Sequence, residues 1–109
     1  MAEEALIAFC TIPDAEAARR IAKEIVDLRL AACANILPHV HSIYQWQGKL
    51  EAADEVLTIF KLAASRYPEF EAKLRSLHPY EVPEIIACKI DNALPEYFRW
   101  LLDSCCLPT

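Results

Sequence analysis

A chain of 109 residues buries one core and not two, which excludes separate cofactor and substrate domains, so residues 1–109 are read as a single domain. With 55% hydrophobic and 25% charged residues it is globular rather than disordered, and its net charge of −5, with eleven Lys and Arg interspersed among acids, argues against nucleic acid as a partner. Its one glycine leaves no room for a G-x-G-x-x-G loop, a Walker A loop or a G-x-S-x-G elbow, so neither an organic cofactor nor an enzyme is expected.

The chain opens on an acidic Met1-Ala2-Glu3-Glu4, and the apolar stretch that follows is far shorter than a signal-peptide core or a membrane span. A cytoplasmic protein without membrane insertion is expected. That stretch, "ALIAFCTI" from Ala5 to Ile12, is closed by Pro13-Asp14 and reads as a strand buried on both faces. Helical spacing then sets in at Ala18, Ile21, Ala22, Ile25 and Leu28, with Asp14 placed as the cap. "AACANILPHVHSIYQW", from Ala31 to Trp46, returns to strand character, and Pro38 demands a break, bulge or edge partway. Gly48 in "WQGK" supplies the positive φ of a hairpin turn, so "DEVLTIFKL" from Asp54 to Leu62 is a third strand, antiparallel to the second. Ser65 is placed to cap a second helix with Pro68 in its first turn and Phe70, Leu74 and Leu77 on its inward stripe. "EIIACKI", Glu84 to Ile90, is the fourth strand, and Pro95 starts a last helix with Phe98, Leu101, Leu102 and Cys105 on one face.

The order β-α-β-β-α-β-α is that of an α+β, ferredoxin-like split β-α-β sandwich: a four-stranded antiparallel sheet with helices over one face. Its other face should be polar in a monomer. Here "LIAF", "VLTIF" and "EIIAC" carry apolar residues at consecutive positions, so both faces require burial and a closed homo-oligomer is expected.

Five cysteines without a C-x-x-C pair fit neither a secreted disulfide framework nor a structural zinc site, and Cys33 and Cys88 read as buried free thiols. His39 and His41, two apart on a strand, are either a chelating pair or exposed polar residues after Pro38. Cys10 and His78 are brought close if the fourth strand lies antiparallel beside the first. A thiolate with an imidazole suits copper(I), mercury or zinc, and an imidazole with carboxylates such as Glu81 or Glu84 suits copper(II). The alternative is a buried thiol and a helix-end histidine. Tyr44, Trp46, Lys61 and Tyr80 are suited to lining a cleft between subunits, or simply to packing an interface.

Four segments carry a resemblance: "CTIPDAEAARRIA" from Cys10, "RLAACANILPHVHSIYQWQGKL" from Arg29, "EVLTIFKL" from Glu55 and "HPYEVPEIIACKI" from His78. Along nearly its whole length the chain resembles the CutA family of divalent-cation tolerance proteins. The resemblance implies a homotrimer of ferredoxin-like subunits and a role in tolerance of copper and other divalent cations. It implies copper held by a first-strand thiol and the histidine that opens the "HPY" segment, positions filled here by Cys10 and His78; ligand chemistry adds Glu81 as a candidate assisting carboxylate. Two departures stand out. Leu77 replaces a second histidine found in some members, and His39 and His41 stand where members commonly have small residues. Trimers of this fold also look like PII-type signal proteins, which makes a small-anion or peptide sensor, with its ligand in the inter-subunit cleft, the alternative function.

Overall fold

The computed structural model describes residues 3–106. Strand β1 (Ala5–Ile12) leads into helix α1 (Ala15–Asp27), whose first turn is held by the Asp14 carboxylate accepting from the Ala17 amide at 2.8 Å. A hairpin of β2 (Cys33–Trp46) and β3 (Lys49–Ala63) follows, turning through Gln47 and Gly48, both at positive φ (50° and 79°) as a two-residue hairpin turn requires. A 3-10 turn over Ala64–Arg66 enters α2 (Tyr67–Leu77), and the chain closes with β4 (Ile86–Lys89) and α3 (Pro95–Ser104). The four strands form one antiparallel sheet in the order β2-β3-β1-β4. This is the expected ferredoxin-like arrangement.

One face of the sheet is the core. Ala8, Cys10 and Ile12 of β1 and Val56, Thr58, Phe60 and Leu62 of β3 are buried there against Ile21 and Ile25 of α1 and Phe70 and Leu74 of α2. Phe60 and Phe70 meet edge to face at 5.1 Å. The opposite face carries Ile7, Phe9, Leu57 and Ile59 half-exposed, and Leu37 and Ile86 exposed. An apolar sheet face left largely open among the described residues, reached by α3 where the Tyr97 hydroxyl lies 3.7 Å from Cys33 Sγ, is what the lack of alternation predicts.

Several local expectations need correction. β3 begins at Lys49, not Asp54, so Lys49–Glu55 pair with β2 alone and extend beyond β1 as a two-stranded arm. β4 is confined to Ile86–Lys89, the residues in register with Leu6–Phe9 of β1, and beyond them the Ile90 amide still donates to the Ala5 carbonyl at 3.0 Å. Ser65 does not cap α2; it lies in the 3-10 turn and its hydroxyl donates to Glu3 Oε1 at 2.8 Å. Cys88 is exposed and Cys33 half-buried on the uncovered face, whereas Cys10 and Cys105 are the buried thiols.

Pro38 produces a bulge rather than an end. The register jumps between Leu37 and Val40, where two β2 residues stand against one on β3, and His39 takes a left-handed φ of 64°. Before the bulge Cys33, Asn35 and Leu37 are opposite Lys61, Ile59 and Leu57 on the uncovered face. After it Val40, Ser42, Tyr44 and Trp46 take over that face, beside Glu55.

Candidate functional site: an acidic, aromatic cleft at the base of the arm

That exchange of faces builds a cleft. Where the arm leaves the sheet, Thr11, Ser42, Ile43, Tyr44, Trp46 and Glu55 face the entry to β4, contributed by Pro79, Tyr80, Glu81, Val82 and Glu84, across a cavity of about 710 Å³. Tyr44, Trp46 and Tyr80, expected in a cleft between subunits, line this cavity within one chain. Lys61 does not. It sits six residues further along β3, roughly 20 Å at strand rise, with its ammonium donating to Asn35 Oδ1 at 2.8 Å.

The charged lining is wholly acidic. Glu81 and Glu84 are exposed at the rim, while Glu55 is only 7% exposed. Its Oε2 accepts from the Tyr80 hydroxyl at 2.8 Å, and no cationic side chain pairs with it among the described residues. Burial, and then the Glu55 carboxylate, push the Tyr80 phenol up to about 12. Sequence reasoning missed Glu55. Its signal was an acid at the head of the apolar run "EVLTIF", which burial makes costly and a ligand makes useful.

His78 anchors the β4 side. Pro79 biases the residue before it away from helix, so His78 is extended (ψ 136°) and closes α2, its amide reaching back to Leu74 and Arg75. Its ring is buried, lies 4.8 Å from the Tyr80 ring at a tilt of 50°, and meets the Thr11 carbonyl at 2.8 Å through Nε2. Nδ1 receives the Tyr80 amide at 3.0 Å.

The end of β1 and the lead-in to β4 are therefore adjacent, as the topology predicts, through Thr11 rather than the Cys10 side chain. Cys10 is fully buried on the helix-covered face, and burial first, then Glu84 and Glu55, push its thiol up to about 12. The thiolate that binds metal is thereby disfavoured. Among the described residues no three His, Cys, Asp or Glu side chains stand close enough to hold an ion. As arranged in one chain, Cys10, His78 and Glu81 do not fit a metal ion. His39 and His41 are separated by the bulge that breaks strand alternation. His41 instead faces Asp54 across the arm, Nδ1 to Oδ1 at 2.6 Å, a carboxylate partner that only the register reveals.

The family model for the CutA1 divalent ion tolerance protein matches residues 6–104. Protein CutA of Mus musculus is 44% identical over 94 residues, 86% of this chain and 53% of that protein, so the chain spans about half its length. The divalent-cation tolerance protein CutA of Thermus thermophilus is 42% identical over 98 residues, 90% of this chain and 95% of that one. The solved structure from Thermus thermophilus superposes with a TM-score of 0.89 over 94% of this chain and 98% of that chain, at 42% identity. That of CutA1 from Shewanella sp. SIB1 gives 0.90 over 95% and 97%, at 40% identity. A third, described as the periplasmic divalent cation tolerance protein CutA from Archaeoglobus fulgidus, gives 0.89 over 93% and 98%, at 35% identity. The chain shares its overall fold with these solved structures and belongs to the CutA1 divalent ion tolerance family.

Proposed function

We propose that the protein is a cytoplasmic homotrimer that binds divalent cations, copper foremost, at the cleft at the base of the arm, with a second copy completing the ligand set that one chain does not bring together, and contributes in this way to metal tolerance. The observation that carries this reading is the wholly acidic lining: Glu55, Glu81 and Glu84 share the cleft, and no Lys, Arg or His joins them. A buried carboxylate without a cationic partner is costly, and a bound cation offsets that cost. Carboxylate and hydroxyl oxygens accept many divalent ions, and copper(II) heads the affinity order for a given nitrogen or oxygen site. Family membership supports the ion class. Self-association is supported by the uncovered apolar sheet face and by Ile43 and Leu50, 73% and 70% exposed on an arm that has no third strand. Five free cysteines suit a reducing compartment, and no helix among the described residues is long and apolar enough to cross a membrane.

Calorimetric titration with copper(II) tests the site. Changing Glu81 and Glu84 together to Gln is expected to weaken binding at least tenfold, while Cys10→Ser leaves it within about threefold. If the thiol variant alone abolishes binding and the glutamine variant matches the parent, the cleft is the wrong place and the buried thiol is the donor.

The aromatic walls, Tyr44, Trp46 and Tyr80, favour a second reading in which the cleft takes an organic ligand. Its acidic lining selects an organic cation over the small anion considered from the sequence. Under that reading an ammonium compound raises the melting temperature whether or not a chelator is present.

A further inference from the structure

We infer that His78 is a positioning residue of the cleft and not a metal donor: both its ring nitrogens are spent on the backbone, in one fixed tautomer. A carbonyl oxygen only accepts, so the 2.8 Å contact from Nε2 to Thr11 O requires the proton on Nε2. A backbone amide only donates, so the 3.0 Å contact from the Tyr80 N–H requires a bare lone pair on Nδ1. The two contacts fix the same neutral imidazole, and no lone pair is left for an ion.

The ring works as a strut between β1 and the entry to β4. It fastens the end of β1 to the second residue of the "PYEVP" segment, and it packs against the Tyr80 ring at 4.8 Å between centroids. Tyr80, held at its amide and its ring, passes the restraint on through its hydroxyl to Glu55 Oε2 at 2.8 Å. The chain from Thr11 through His78 and Tyr80 to Glu55 thereby sets where the buried carboxylate stands in the cleft. Binding a metal at Nδ1 would release the Tyr80 amide, and binding at Nε2 would displace a proton and release Thr11. Either way the carboxylate loses its brace. The tautomer stands on these contacts alone; the consequence for cation binding rests on the cation reading above.

Two measurements on the whole protein test the inference. The first is the nitrogen-15 ring signature of His78, recorded without metal and with one equivalent of zinc, a diamagnetic divalent ion. Expected is a neutral ring protonated at Nε2 and bare at Nδ1, the same in both samples. A ring protonated at Nδ1, or a zinc-induced loss of the Nε2 proton or shift of Nδ1, overturns it. The second is rescue. His78→Gln keeps a donor toward Thr11 and His78→Asn keeps an acceptor toward Tyr80, but neither amide is a competent replacement for an imidazole donor. At least one of them is expected to bind zinc within about threefold of the parent, while His78→Ala loses tenfold or more. If both amide variants fold yet lose zinc as completely as the alanine variant, His78 is a donor after all. Failure of zinc to bind even the parent overturns the cation reading, and the metal-free ring signature then decides the tautomer by itself.

Discussion

Cys10 combines a thiol held up at about 12 with complete burial, and the unfolded chain leaves the same group near its ordinary 9.0. A raised folded-state pKa means that the native protein retains a proton the unfolded chain releases. The associated stability is fully present below pH 9 and is lost as the pH rises from 9 to 12, at up to about 1.4 kcal/mol per pH unit for one proton. Cys10→Ala is expected to flatten that alkaline loss, as read from urea melts at successive pH values. An unchanged slope would assign the loss to other groups. At this scale the sequence was legible in kind but not in direction. "CTIP" and "HPYEVP" single out Cys10, His78 and Tyr80, but which way each side chain points depends on register. Cys10 turns into the core, and the backbone carbonyl of its neighbour Thr11 meets the imidazole instead.

Among the elements, α1 was the most legible and β3 the least, for a physical reason. The apolar stripe of α1 packs on one sheet and its cap is local, so thirteen residues carry their own instructions. Asp14→Ala is expected to cost about 1 kcal/mol, through loss of the bond to the Ala17 amide, with a matching fall in urea midpoint. No change in midpoint would mean that water serves that amide equally well. The first half of β3, "KLEAADE", lacks any such pattern. It is a strand because β2 pairs with it, and that pairing follows from the Gln47-Gly48 turn rather than from the segment itself. The reverse holds at β4, where an apolar run looked longer than the four residues in register with β1.

For the molecule as a whole, the arm and the uncovered sheet face make one request. The described chain spans 46 × 26 × 22 Å, drawn out for its size, and its long axis comes with a two-stranded ribbon that is marginal in water unless packed. Ile43→Asp combined with Leu50→Glu is expected to convert a trimer to monomers in sedimentation at micromolar concentration, with a melting temperature well below the parent's. A parent that already sediments as a monomer sinks the assembly reading. The open apolar face was legible from consecutive apolar residues in three strands. The cleft was not, because Glu55 on β3 and Glu81 and Glu84 before β4 meet only through the sheet order.

The bulge at His39 marks a change of parity. Upstream of it the odd-numbered residues of β2 share the open face with Glu55, and downstream the even-numbered ones do. Tyr44 and Trp46 look into the cleft because they pair with Glu51 and Lys49, which share the odd-numbered face of β3 with Glu55. The bulge absorbs the one residue by which β2 exceeds β3 between Leu37 and Val40, while the register of the arm is anchored from the Gln47-Gly48 turn. Deleting the surplus residue straightens the ladder and leaves both aromatics where they are, whereas a slip of one residue in the pairing at the turn presents His41, Ile43 and Gln45 to the carboxylates instead. In this family member the turn at the far end of the arm, and not the bulge beside the cleft, keeps the facing of the site.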